Sequence, residues 1–82
     1  MKYYVYVLKS IGSGRHYVGF TRNVRKRLRQ HNAGKTFSTR PFIPYELLFF
    51  ESFDSKQEAF DREKFLKTGK GRTYIKSASW RN

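Results

Sequence analysis

The chain contains no cysteine, so neither a disulfide nor a thiolate metal site can hold it together, and a reducing compartment is permitted. It also lacks any apolar run near the roughly 20 residues that cross a bilayer as a helix. Its opening segment, MKYYVYVLKS, is too short and too aromatic for a signal peptide. A soluble, cytoplasmic protein is expected. Acidic residues are scarce: six Asp and Glu stand against eighteen Lys and Arg, a formal net charge of +12 spread along the chain. Such a field attracts a polyanion and releases its counterions, which is the footprint of nucleic-acid binding. A membrane surface competes as a partner, but neither helical pattern carries the large aromatic or leucine face of an interfacial helix. With 82 residues, 38% of them hydrophobic, a single domain spanning residues 1–82 around one modest core is expected.

What is present reads as a short string of elements. YYVYVL (residues 3–8) and HYVGF (16–20) are β-rich, and the turn residues of SIGSGR (10–15) between them make a hairpin. Asn23 is placed to cap a helix from Val24 to about Ala33, stopped by Gly34. After a loop (35–44), YELLFFESF (45–53) is nearly continuous in apolar residues, which predicts a strand that is central or covered on both faces. Ser55 and Glu58 form the S-x-x-E pattern of a second helix running to about Lys67 and ended by Gly69. RTYIKSASW (72–80) suggests a short third helix docking Tyr74, Ile75 or Trp80. The fold class is α/β: a small three-stranded antiparallel sheet flanked by helices, in the order ββαβαα.

Strand alternation sends Tyr4 and Tyr6 to one face and Val5 and Val7 to the other. One consistent pairing puts Val5, Val7, Val18 and Phe20 on a core face and Tyr4, Tyr6 and Tyr17 on the opposite one, with a gap at Gly19. A glycine inside a strand marks a bulge or a close approach by a ligand or another backbone. In the first helix Val24, Leu28 and His31 share a stripe, with Arg27 and Arg25 flanking it on opposite sides. Periodicity alone does not choose between these two arginines. Lys26 and Arg29 face away.

Glu63 is the anomaly of the second helix, because it falls within the apolar stripe of Ala59, Phe60 and Leu66. An ionised acid facing a core costs several kcal/mol unless it is paired, hydrogen-bonded or metal-bound. Two readings follow: a buried ion pair with a neighbouring cation, or a metal-binding carboxylate at a cleft. TGKGRT (68–73) fails as a phosphate loop, since the required upstream glycine position is Lys64. HYVGFTR (16–22) lacks the aromatic spacing of an RNA-recognition strand. Lys67, Lys70 and Arg72 read as a flexible basic turn around Gly69 and Gly71 that touches phosphates.

These residues together resemble the GIY-YIG endonuclease superfamily, in particular small single-domain members akin to the N-terminal incision domain of bacterial excision-repair nucleases. YVY (4–6) stands at the first motif, YVG (17–19) at the second, NVRKRLRQHNAG (23–34) at the first-helix segment and AFDREKFLK (59–67) at the glutamate segment. The resemblance implies a DNA endonuclease that hydrolyses phosphodiester bonds with one divalent ion, Mg²⁺ or Mn²⁺. It implies Tyr17 as base or water-positioner, Tyr6 as its support, Arg27 on the scissile phosphate and Glu63 as metal ligand. His31 would orient a tyrosine, assist proton transfer or serve only the fold, and Gly19 of the second motif stands with it as a secondary site residue. Arg22, Arg25, Lys26, Lys67, Lys70 and Arg72 would contact the backbone of DNA, largely without sequence preference, and a protein partner could supply targeting. The larger enzymes often have an asparagine after the glutamate helix, and here the only one is Asn82. The alternative is a catalytically silent nucleic-acid-binding module of the same fold.

The charge balance generates the first prediction. Affinity for duplex DNA falls linearly with log salt and depends little on sequence. A nearly flat plot of log K against log salt would contradict it.

Overall fold

The computed structural model describes residues 1–78. Three strands, β1 (Tyr3–Ser10), β2 (His16–Thr21) and β3 (Tyr45–Phe53), alternate with the helices α1 (Val24–Asn32), α2 (Lys56–Leu66) and α3 (Gly69–Ala78) in the order ββαβαα. A short 3-10 turn, Arg40–Phe42, precedes β3. The sheet is antiparallel with spatial order β2-β1-β3. β1 is therefore central, and Val5, Tyr6, Val7 and Leu8 are all buried because helices cover both of its faces.

Alternation divides the interior as the sequence predicts. Val5, Val7 and Val18 pack with Ala59, Leu66 and Ile75 under α2 and α3, with Phe20 alongside. Tyr6, Leu8 and Tyr45 form the other layer, against Tyr17 and the α1 residues Val24 and Leu28. Each fully buried aliphatic side chain of these layers contributes about 1.5–3 kcal/mol.

β3 is an edge strand and not central, and its apolar run packs on both faces of the sheet. The β1–β3 register shifts between Val7, paired with Phe49, and Leu8, paired with Leu47, leaving Leu48 as the extra residue of a bulge. Leu48 and Phe49, though consecutive, both pack on the α2–α3 side, while Leu47 packs on the α1 side. The next residue, Phe50, is left 51% exposed.

The helix starts follow the capping logic. The Asn23 side chain accepts from the Lys26 amide at 3.0 Å, and the Ser55 hydroxyl accepts from the Glu58 amide at 3.1 Å. Gly34, at φ +76°, follows α1 in the left-handed conformation that ends it. The end of α2 corrects the sequence reading. Gly69 does not stop α2, which ends at Leu66; it begins α3. Lys70 and Arg72 thus lie in the first turn of a helix and not in a flexible basic turn. Ile75 is the docking residue at 1% exposure, Tyr74 is 38% exposed, and Trp80 lies outside the described residues, as does Asn82.

The close turn from α2 into α3 depends on Gly71. A Cβ there would stand 2.1 Å from the Phe65 carbonyl oxygen and 2.4 Å from the Leu66 Cα, both backbone atoms that cannot step aside. At Gly69 a Cβ would meet nothing within 4 Å. Gly71→Ala is expected to cost about 1–3 kcal/mol or more in chemical denaturation. Gly69→Ala should change stability by less than about 1 kcal/mol. Equal effects would contradict the packing described.

Candidate active site

The face of the sheet beneath α1 holds most of the candidate residues. Tyr6, in the middle of the central strand, is 1% exposed, and its ring lies over Gly19 of β2, the residue paired with it. A Cβ at Gly19 would sit 2.3 Å from the Tyr6 hydroxyl oxygen and 2.4 Å from Cζ. Gly19 thus marks a close approach, but by a tyrosine ring instead of a bulge, ligand or backbone. That approach leads the Tyr6 hydroxyl into α1.

There it enters a chain of hydrogen bonds. Arg27 donates from Nε to the Tyr6 hydroxyl at 3.3 Å and from Nη1 to Gln30 Oε1 at 3.1 Å. The Tyr6 hydroxyl lies 2.9 Å from His31 Nε2, and His31 Nδ1 lies 2.9 Å from Thr39 Oγ1. Thr39 Oγ1 in turn donates to the Thr36 carbonyl at 3.3 Å. The directions are fixed by the inventory of donors. Thr39 spends its proton on Thr36, so it accepts from His31 Nδ1–H; His31 Nε2 then accepts from Tyr6, whose oxygen accepts from Arg27. The ring is a neutral Nδ1–H tautomer assigned by its network. No buried side-chain polar atom among the described residues lacks a partner.

The electrostatics agree. Burial, with the nearby Arg27 guanidinium adding to it, pushes His31 down to about 4. Burial is also the main cause that pushes Tyr6 up to about 12; the Tyr17 and Glu63 charges add to the rise and Arg27 opposes it. Tyr6 is thereby a fixed protonated phenol that holds Arg27, and His31 serves to orient that tyrosine.

Thr39, which sequence reasoning missed, belongs to a loop tied at several points. The Asn32 side chain pairs with both backbone groups of Tyr45, at 3.0 and 2.7 Å. The Ser10 hydroxyl donates to the Phe42 carbonyl at 2.6 Å, and Arg40 Nε donates to the Gly34 carbonyl at 2.9 Å. Nothing in the composition of KTFSTRPFIP singled Thr39 out among its polar neighbours; only its 2% exposure does.

Tyr17 completes the cluster, its ring 4.8 Å from His31 and 6.2 Å from Tyr6, centroid to centroid. It is half-buried, and among the described residues its hydroxyl has no hydrogen-bond partner. It borders a cavity of about 440 Å³ between β2 and the α2–α3 pair, lined also by Arg15, Lys67, Arg72 and Lys76, with no acidic residue.

Glu63 stands on α2 with a side chain only 17% exposed, and its Oε2 accepts from Lys67 Nζ at 3.0 Å. It is the one carboxylate whose charge acts on the Tyr6 hydroxyl. Among the described residues no group of three His, Cys, Asp or Glu gathers. A lone carboxylate with one oxygen not engaged by the protein fits a single hard divalent ion held mainly by waters and a substrate phosphate, and does not fit a two-metal site. The i,i+4 partner, Lys67, is 56% exposed, so it is a solvated cation that swings away at little cost.

The other expected contacts divide. Arg27 is half-buried beside Tyr6, whereas Arg25 is exposed and lines a different cavity with Arg22 on the other flank of α1. Lys26 and Lys70 are exposed and border neither cavity. Glu51, read from sequence as a strand-edge acid, forms a two-pronged pair with Arg62 at 2.7 and 3.0 Å.

Comparison with known proteins gives the family: residues 2–75 match the GIY-YIG catalytic domain, and the chain belongs to the GIY-YIG family. It is 42% identical over 73 residues to a UPF0213 protein of Streptococcus pyogenes serotype M3, spanning 88% of this chain and 78% of that one. It is 45% identical over 65 residues to one from Streptococcus agalactiae serotype V, spanning 78% and 73%. The solution NMR structure of the UPF0213 protein BH0048 from Bacillus halodurans superposes with a TM-score of 0.58 at 32% identity, covering 94% of this chain and 84% of that one. Among the described residues no helix is long and apolar enough to cross a membrane.

The buried histidine makes stability depend on pH. Its folded pKa of about 4 lies below the ordinary histidine value of 6.5, so the unfolded chain binds the proton more readily. Stability from this group is present above about 6.5 and is lost as pH falls towards about 4, by at most about 3 kcal/mol. Denaturation at both ends of that window should show the loss in the natural chain and a smaller one in His31→Gln. Identical pH dependence of the two would remove His31 as its source.

Proposed function

We propose that this protein is a DNA endonuclease that hydrolyses a phosphodiester bond with one divalent ion, Mg²⁺ or Mn²⁺, at the cluster of Tyr6, Tyr17, Arg27 and Glu63. The observation that carries this reading is the disposition of Arg27. Nε and Nη1 are spent on Tyr6 and Gln30, which leaves Nη2 as a donor without a protein partner among the described residues. An arginine held so firmly by neutral partners, with no acid to neutralise it, suits a phosphate.

In this mechanism Arg27 binds a non-bridging oxygen of the scissile phosphate and stabilises the charge that grows there. Tyr17 aligns the attacking water through its phenolic oxygen. Tyr6 and His31 touch neither water nor phosphate; they keep Arg27 in one orientation. Glu63 would hold the ion once Lys67 releases it, and the ion when bound supplies Lewis-acid help to the phosphoryl and leaving oxygens. The cations Lys67, Arg72, Lys76 and Arg15 along the cavity at Tyr17 draw the DNA backbone across the site. Low sequence preference follows from contacts that are mostly to phosphate.

The Glu63–Lys67 pair favours the second reading, a silent nucleic-acid-binding module, and the same assay separates the two. Supercoiled plasmid is incubated with and without Mg²⁺ or Mn²⁺. The endonuclease nicks it only with metal; Arg27→Ala removes turnover with little loss of binding, and Arg25→Ala acts on affinity in preference to turnover. Glu63→Gln abolishes metal-dependent nicking and weakens Mn²⁺ binding while costing less than about 1 kcal/mol of stability, because its partner is solvated. Absence of metal-dependent nicking, with plasmid binding retained, would establish the binding module instead.

A further inference from the structure

A second cavity, of about 480 Å³, opens between α1 and the β3 edge. Its floor is apolar, made by Leu28 and Leu47; Tyr4 and Phe50 form a wall, and Arg22 and Arg25 stand at the rim. Phe50 meets Tyr4 edge-on at 5.7 Å and 74°, so the ring is held although it is 51% exposed. The volume lies within the range of small-ligand sites. No acidic residue lines it, and neither Arg22 nor Arg25 forms an ion pair among the described residues.

We propose that this cavity receives one unpaired nucleobase of the strand that Arg27 engages, so that the preferred substrate is DNA with a single-stranded stretch beside the scissile bond. The inference rests on the nucleic-acid reading above and narrows it. A fixed, half-exposed aromatic ring over an aliphatic floor is a stacking platform, and every base has a face that fits it. The rim arginines suit the phosphates on either side of that base. A purely apolar occupant would leave both of them unanswered, and a bare phosphate would leave Phe50 and Leu47 in water. A paired base cannot enter, because its own faces are covered by neighbours in the stack. The cavity at Tyr17 differs: four cations, Arg15, Lys67, Arg72 and Lys76, line it, and they suit the phosphates of a backbone. That cavity lies between β2 and the α2–α3 pair, whereas this one lies between α1 and the β3 edge.

The test is made on the full chain without metal, so that it does not depend on cleavage. Fluorescence anisotropy measures affinity for a short single strand, for the same strand with abasic sites in place of its bases, and for the matching duplex. The single strand is expected to bind at least about fivefold more tightly than the abasic strand. Phe50→Ala should lower the ratio of single-strand to duplex affinity by at least about fivefold, and Phe50→Trp should restore it. Equal affinity for base-bearing and abasic strands, or an unchanged ratio in Phe50→Ala, overturns the proposal; a protein partner at this cavity would give that second result. Binding to none of the three ligands overturns the nucleic-acid reading as well, which distinguishes the two failures. Should Phe50→Ala fail to fold, the comparison of the two single strands in the natural chain still decides.

Discussion

The buried run of hydrogen bonds from Arg27 through Tyr6 and His31 to Thr39 joins the helix, the central strand and the loop before β3. Its direction allows one arrangement. Each oxygen and nitrogen has a single proton to give or receive, and the sequence of donors ends on the Thr36 carbonyl. A protonated His31 would turn an N–H towards Tyr6 and leave the phenol proton without its acceptor, and it would stand beside the Arg27 cation. Burial and charge therefore both hold the ring neutral. The consequence reaches outward: a phenol that stays protonated near neutral pH gives Arg27 a fixed partner.

The rest of the molecule keeps that arrangement in place. β1 must be central for Tyr6 to be covered, and β2 must offer Gly19 opposite for the ring to lie flat. Asn32 and Ser10 pin the loop that carries Thr39. The β3 bulge sends Leu48 and Phe49 to the same side, which seals the core beneath α2 and α3. Of the two open cavities, one lies at Tyr17 between β2 and the α2–α3 pair and carries four cations, and the other lies between α1 and β3 and carries Arg22 and Arg25.

Much of this was legible in the sequence because it rests on local chemistry. The caps at Asn23 and Ser55, the division of β1 between two faces, and the gap at Gly19 follow from side-chain type and period. Glu63 stood out because a carboxylate in an apolar stripe needs a reason. Other features depend on contacts distant in the chain. The choice of Arg27 over Arg25 needed the position of Tyr6, 21 residues away, since the two arginines flank the helix stripe symmetrically. The edge position of β3 was hidden because a bulge lets an edge strand use a continuous apolar run. Gly69 was misread because a glycine that ends one helix and one that begins the next look alike; the backbone contact at Gly71 is what sets the boundary. Thr39 became visible only when its loop folded over α1.

The most direct test of the account is the protonation state of His31, read by nitrogen-15 NMR of the imidazole ring across a pH titration of the metal-free chain. The account predicts a neutral ring with its proton on Nδ1 at neutral pH, persisting down towards about 4. A ring that titrates near 6.5, or that carries its proton on Nε2, would contradict it, because Tyr6 would then have no acceptor and Arg27 no fixed support.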